Sequence, residues 1–308
     1  MPATHEHRTE TDAPGVSVGL PVYNAERYLR IAIESILNQT LRDWELVICD
    51  NASTDGTGAI CREYAARDPR IRYHRLPANI GAANNFRRVF ELSRGRYFKW
   101  IACDDFCGPE FLERCVQVLD ESPDTVLCTT KASMIDQDGR VIERYAERQD
   151  LPMARASDRF IASRDQDGWC IAVYGLVRAD TLRRTAVMGN YAGSDAVLLG
   201  ELSLYGRFAE VPEYLLFRRI HPGAYSHEVN LEKMRDFYTP SKKRGTALVF
   251  RSWRHLFEYL RAVIRAPLPF GERLRLFAYI LRMMWWRKGD LAAEIVAGLR
   301  SVIGRDNA

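Results

Sequence analysis

The chain predicts an α/β fold, an open and mostly parallel sheet flanked by helices, followed by a C-terminal amphipathic helical extension. Three observations carry this. Apolar strand-like runs alternate four times with amphipathic runs across residues 16–130, at the spacing of right-handed crossovers. Two of the apolar runs end on acids, at Cys49-Asp50 and at Ala102-Cys103-Asp104-Asp105. Ligands of open α/β sheets gather beyond such carboxyl ends. About seventy residues at the end then change to arginine-punctuated apolar helix.

The run 16–20 is apolar and reads as a buried strand, left through the loop Pro21-Val22-Tyr23-Asn24. Residues 25–39 read as a helix, because Leu29, Ile33, Ile36 and Leu37 share one side. Trp44–Asp50 is the second strand, turned by Asn51-Ala52-Ser53-Thr54-Asp55-Gly56 into a helix over 57–66. Ile71–Arg75 is the third strand, and Asn79-Ile80-Gly81 opens a helix carrying Asn84 and Asn85. The next strand is 97–102. Pro109 starts a helix, where its missing N–H costs nothing, and 126–130 is a further strand. Past residue 131 the pattern loosens. A hairpin is expected over 134–142 around Asp138-Gly139, with loop or short helix over 143–168. A strand over 169–178, helices over 181–188 and 195–204, and short strands over 208–211 and 214–218 follow. Two helices close the chain, 247–266 and 272–286, divided by Pro267 and Pro269. The expected units are a disordered leader 1–14, a first α/β half 15–130, a second half 131–240 and the extension 241–308.

Of 308 residues, 47% are hydrophobic and 27% charged, a globular composition. The net charge of +4 is unevenly spread. From Lys242 onward there are 14 Lys/Arg and 5 Asp/Glu, while residues 1–241 hold 30 and 35. A basic tail on an acidic body points to an anionic surface, lipid or nucleic acid. The aromatic and arginine content of 247–287 favours membrane contact, with packing on the body or a second subunit as the alternative. RNA is disfavoured, since no aromatic-glycine recognition motif accompanies the charge. No run reaches the ~18–20 apolar residues of a membrane span, and no signal peptide is apparent. The seven cysteines sit mostly in apolar patterns and read as reduced core spacers. The expected location is the cytoplasm, at the inner face of the cell membrane.

The carboxylates carry the chemistry. Asp104 and Asp105 repel one another unless a cation intervenes or one shifts its pKa, so they read either as a divalent-metal site or as a turn before the Pro109 helix. Asp50 and Asn51 offer acceptors for the imide N–H of uracil or thymine, or else an Asx turn. Asp195, at the start of a helix after Tyr191-Ala192-Gly193-Ser194, is a general base for an acceptor hydroxyl or an ordinary cap. His221, with Arg218 and Arg219, is placed to meet a metal or a diphosphate, or forms a surface loop. No G-x-G-x-x-G or Walker lysine is present, which disfavours nicotinamide and P-loop chemistry.

Taken together, V-S-V-G-L-P-V-Y-N-A (16–25), Q-T-L-R-D-W-E-L-V-I-C-D-N-A-S-T-D-G-T (39–57) and N-I-G-A-A-N-N (79–85) resemble the family 2 glycosyltransferases. These are inverting enzymes of the GT-A fold, which has a Rossmann-like central sheet. The likeness spans about residues 16–225. It implies transfer of a sugar from a nucleotide-diphosphate sugar, UDP or dTDP favoured, to a saccharide or lipid-linked hydroxyl in cell-surface polysaccharide or glycolipid synthesis. Pro21, Val22, Tyr23, Asn24, Asp50, Asn51, Asn79 and Asn84 would hold the nucleotide, with Asp104 and Arg218 at the diphosphate. Asp105, Asp104 and His221 would hold Mn²⁺ or Mg²⁺, and Asp195 would be the base. Ala102 stands where many members have a first aspartate, and Ser194 where many have glutamate. A sugar nucleotidyltransferase or a non-catalytic nucleotide-binding scaffold is the alternative; a homo-oligomer is compatible with either.

Overall fold

The computed structural model describes residues 13–165, 170–221 and 250–303. The leader expected over 1–14 lies outside the described residues except for its last two. Four parallel strands form the first half, β1 (Val16–Val22), β2 (Trp44–Asp50), β3 (Ile71–Arg75) and β4 (Tyr97–Trp100), in the order β3-β2-β1-β4. Helices α1 (Leu29–Leu37), α2 (Thr57–Arg67) and α3 (Ala82–Glu91) make the crossovers. Every residue of β1, β2 and β4 is buried, which explains their mostly apolar runs.

The buried polar exceptions in these strands are paired. The Glu45 carboxylate accepts Ser17 Oγ at 2.6 Å, the Arg94 N–H at 2.9 Å and Arg72 Nη1 at 2.9 Å. Burial pushes this carboxyl up, but those donors outweigh it and hold it below its ordinary value of 4.5. Lys99 donates to the Tyr174 carbonyl and lies over the Phe111 ring.

The second half continues the same sheet with mixed directions. After β5 (Phe106–Cys107) and α4 (Phe111–Glu121) come β6 (Thr125–Ile135), β7 (Val141–Arg144), α5 (Ala156–Asp165), β8 (Leu176–Arg178), α6 (Ala179–Arg183), α7 (Ser194–Ser203) and β9 (Arg207–Arg219). β8 runs antiparallel between β4 and β6 and joins the halves; β9 runs parallel to β6, with β5 antiparallel on its far side. The expected hairpin is present as β6 and β7, turned through Gly139 at φ 88°.

Three expectations are corrected. Of the strand expected over 169–178, Trp169 lies outside the described residues; Ile171–Tyr174 is a 3₁₀ turn and only Leu176–Arg178 pairs. A short apolar run has no period that separates strand from buried turn. The helix expected over 181–188 is Ala179–Arg183, ended where Thr185 Oγ1 accepts the Val187 N–H at 3.0 Å. The two strands expected over 208–211 and 214–218 are one, β9. Its register against β6 slips around Pro212 and Glu213, since Val211 pairs Thr130 and Tyr214 pairs Lys131. A bulge accommodates a proline that has no ladder N–H to give.

Among its described residues the extension holds three helices where two were expected, α8 (Arg251–Arg265), α9 (Phe270–Trp286) and α10 (Lys288–Ile303); positions 247–249 of the first expected helix lie outside the described residues. One side of the first two packs on the body. Leu256, Tyr259, Val263, Leu276 and Ile280 meet Phe160 of α5 and Val197 of α7, with Phe160 edge-on to Tyr259 at 5.3 Å. Arg265 pairs with Glu201, a buried carboxylate of α7. Among the described residues, no helix is long and apolar enough to cross a membrane.

Glu45→Ala strips the acceptor from Ser17, Arg72 and the Arg94 N–H, and is expected to cost roughly 2–3 kcal/mol in urea unfolding at pH 7. Because the folded-state pKa is depressed, the wild-type advantage is complete above the ordinary pKa. It should disappear as the pH falls through the lower folded value.

Candidate active site

The site grows from the carboxyl ends of β1 and β2. β1 runs two residues beyond expectation, so Pro21 and Val22 belong to the strand and pair with Cys49 and Asp50. Proline is tolerated there because β1 has by then outrun β4, whose pairing stops at Gly19. The chain next turns at Asn24, in the left-handed region at φ 49°, a conformation that asparagine adopts more readily than most residues. Asn24 Oδ1 accepts the Thr54 N–H at 2.9 Å, and its own N–H reaches Ser53 Oγ at 3.0 Å. Thr57 Oγ1 accepts the Ala25 N–H at 2.8 Å. These bonds lace the two loops together and leave Tyr23 half-exposed at the rim.

Asp50 is the centre of this lacing. Wholly buried, its carboxylate accepts the Ser53 N–H, Tyr73 Oη and Arg75 Nη1, each at 2.8 Å. Arg75, with 46% of its side chain exposed, also donates to the Ser53 carbonyl at 2.7 Å. An ionised carboxylate offers about four lone-pair sites. Three of them are filled, so the buried carboxylate is largely spent on holding its own loop. Neighbouring Asn51 spans to the next loop: Nδ2 donates to Asn79 Oδ1 at 2.8 Å and Oδ1 accepts the Ile80 N–H at 2.9 Å. Asn79 Oδ1 also takes the Gly81 N–H, and Asn84 Nδ2 donates to the Ile80 carbonyl. Gly81, at φ 86°, lets the chain turn sharply into α3.

The acid pair follows β4. Asp105 is 3% exposed; its Oδ1 accepts the Arg219 N–H at 2.8 Å, while Oδ2 is buried with Arg218 Nε 3.5 Å away. Burial and the Asp104 charge push its carboxyl up to about 6, against the pull of Arg218, the Arg219 N–H and Lys99. Asp104 is more open and meets His221 Nε2 at 3.1 Å. Arg219, although adjacent to Arg218, is spent on structure: its guanidinium donates to the carbonyls of Asp104, Asp136 and Gln137 and covers the Tyr28 ring.

Asp195 stands in the first turn of α7, entered through Gly193 at φ 81°. Its carboxylate accepts the Ala196 N–H at 2.9 Å. Burial and the Asp195 charge push the adjoining Cys170 thiol up to about 12. The Tyr174 hydroxyl, raised by burial, also feels Arg218, Asp105, Asp104 and Asp195. Arg218 lies over the ring of the half-buried Tyr174 at 4.9 Å, which sets that tyrosine beside the acid pair.

A divalent cation fits the acid pair. Asp105 Oδ2 is buried without a hydrogen bond, and the neighbouring Asp104 charge helps to push the Asp105 carboxyl up. Among the described residues no cluster of three or more ligands is preassembled. Mg²⁺ and Mn²⁺ sites built from one or two carboxylates plus substrate phosphates need none.

Sequence reasoning missed Arg75, Tyr73, Tyr174 and His255. Tyr73 and Arg75 are two apart on β3 and so share a face, but only the register of β3 on β2 aims them at Asp50. His255 of α8 carried no signal. Its Nε2 donates to the Ala192 carbonyl at 2.7 Å, and Arg254 covers Tyr191, so α8 holds the loop before Asp195. Burial, with Arg251 and Arg164 nearby, keeps this imidazole below its ordinary range and neutral at pH 7.

The mixed α/β sheet in the order β3-β2-β1-β4-β8-β6-β9-β5, with its flanking helices, is a GT-A fold. Residues 17–173, just over half of the chain, match the family model described as Glycosyl transferase family 2, and the chain belongs to that family. It is 36% identical over 138 residues to chondroitin synthase of Escherichia coli, a match covering 44% of this chain and 20% of that much longer protein. Among solved structures, residues 1–349 of S. aureus TarS in complex with UDP-GlcNAc superpose with a TM-score of 0.64 at 16% identity, over 89% of this chain and 74% of that one. The mannosyltransferase PcManGT from Pyrobaculum calidifontis, in complex with GDP-Man and Mn²⁺, gives 0.53 at 18% identity, over 94% and 76%.

Asp105→Asn keeps the acceptor for the Arg219 N–H and removes a buried charge. A raised acid pKa means that ionisation costs the folded state, so stability is lost as pH rises through about 6. The variant should therefore gain on the order of 1–3 kcal/mol at pH 7 without divalent cations. Mn²⁺ is expected to raise the Tm of the wild type and not that of the variant; thermal melts with and without Mn²⁺ check both.

Proposed function

We propose that this protein is an inverting glycosyltransferase. In this reading it moves a sugar from a nucleoside-diphosphate sugar, UDP or dTDP in preference to GDP, to a hydroxyl of a saccharide or lipid-linked acceptor in cell-surface glycan synthesis. The observation that carries this reading is the acid pair, with Asp104 meeting His221 and the buried Asp105 meeting Arg218 and the Arg219 N–H, together with the laced Asn24 and Asp50 loops. The ligands of the fold relatives, UDP-GlcNAc in one and GDP-Man with Mn²⁺ in the other, support it, as does the synthase activity named for the E. coli relative.

In the proposed mechanism the nucleoside lies against Pro21, Val22, Tyr23 and Asn24 and the edge organised by Asp50 and Asn51, with Arg75 beside the base. Asn79 and Asn84 hold the adjoining loop in place. Arg218 pairs with the diphosphate, and Asp104, Asp105 and His221 would hold Mn²⁺ or Mg²⁺. That ion would neutralise charge developing on the departing diphosphate. Asp195 takes the proton of the acceptor hydroxyl, whose oxygen attacks the anomeric carbon from the face opposite the nucleotide. One displacement inverts the centre and needs no protein nucleophile. His255 fixes the loop that aims Asp195.

Nucleoside-diphosphate release from a panel of UDP-, dTDP- and GDP-sugars, with and without Mn²⁺ or Mg²⁺, tests the reading. Metal-dependent turnover of one donor, abolished in Asp105→Ala, is expected; a chain that binds no donor even with metal is a scaffold instead. Asp195→Asn should retain donor affinity while transfer falls roughly 10²–10⁴-fold, the usual span for a lost general base. His255→Ala should lower kcat by roughly tenfold with donor KM unchanged, and His255→Gln, which keeps an N–H donor, should recover part of the loss.

A further inference from the structure

Helix α9 is apolar on both sides, and the body covers only one of them. Leu276, Tyr279, Ile280 and Met283 face the core. Opposite them Phe270, Leu274, Leu281 and Trp285 recur at helical spacing and stay 81%, 58%, 66% and 67% exposed. A helix apolar all round belongs inside a protein or against lipid, and this outer stripe is not inside the described protein.

The charges around the stripe show which partner it suits. Every carboxylate of the described extension is engaged within the protein. Glu258 pairs with Arg254, Glu272 accepts the Ser157 N–H, Asp290 pairs with Arg287, and Glu294 caps α8 through the Ser252 N–H. The basic groups are not all consumed in this way. Arg282 lies over the exposed Trp286 ring at 4.7 Å and Lys288 over Trp285 at 3.9 Å, each at the margin of the stripe. Aromatic rings capped by cations beside a bare aliphatic row match the boundary between headgroups and acyl chains. A second copy of the same surface would meet like charge.

We propose that the outer side of α9, with the start of α10, docks on an anionic lipid surface. The stripe enters the acyl boundary while Arg282 and Lys288 meet lipid phosphates. The inference is independent of the transfer chemistry, because it is read from binding alone. Its consequence for the site is geometric: α8, packed beside α9, holds the Ala192 carbonyl through His255, so the docked helices and the Asp195 loop form one packed unit.

Flotation of the full chain with phosphatidylcholine vesicles, with and without about a third phosphatidylglycerol, tests this. Binding is expected on the phosphatidylglycerol vesicles and should weaken with added salt. Leu281→Asp combined with Trp285→Asp should abolish it, with Tm unchanged because both side chains are exposed. Arg282→Glu with Lys288→Glu should weaken binding at least about tenfold on anionic vesicles, since each basic group near such a surface contributes roughly fivefold. If the wild type does not float with anionic vesicles, or floats equally well in both double variants, the proposal is overturned. A dimer in light scattering that Leu281→Asp with Trp285→Asp dissolves, without vesicle binding, would overturn it in favour of a second copy.

Discussion

The bond from the Arg219 N–H to the buried Asp105 carboxylate, 2.8 Å long and joining residues 114 apart, is the contact on which the site depends. Without a donor at that depth, the carboxylate would either take up a proton or force the loop outward. With it, the end of β9 is pinned against the acid pair that leads from β4 into β5, and Arg218 and His221 come with it. Arg219 reinforces the junction through three backbone carbonyls. One arginine's backbone and side chain thus weld the two halves of the sheet, while its neighbour Arg218 keeps its charge for the acids.

The opposite wall follows the same logic. Asp50 is buried under three donors, and the loops after β1, β2 and β3 are held by side chains that satisfy each other's backbone groups. Asn24, Asn51 and Asn79 are short enough to do this without entering the space above. Such lacing gives a rigid rim at a place where loops would otherwise be mobile. In the proposed reaction that rigidity matters, because a donor held in one orientation leaves only the acceptor to be aligned.

The extension changes meaning once its packing is seen. Membrane contact and packing on the body were alternatives in the sequence; packing is seen for one side of these helices, and lipid docking is the proposal for the other. α8 and the inner side of α9 complete a core with Phe160 and Val197, and α8 reaches the loop before Asp195. The outer side of α9 is left bare by the described residues.

Much of the first half was legible because its signals are local. Buried parallel strands announce themselves as mostly apolar runs, and acids at their ends mark the site side of the sheet. The loop and acid-pair motifs sit within a few residues of the strands that position them. The later elements were read less well. β8 is three residues long and takes its identity from β4 and β6, and β9 looks like two strands because a bulge at Pro212 interrupts its pattern. Residue types alone thus determined the class of fold, the family and the candidate carboxylates, all of which depend on neighbours along the chain. Tertiary structure decided that Asp50 lies beneath Tyr73 and Arg75, that Arg219 is structural while Arg218 faces the acids, and that His255 steadies the Asp195 loop. Each of these depends on pairing register or packing between segments far apart in sequence, and no local pattern encodes such a contact.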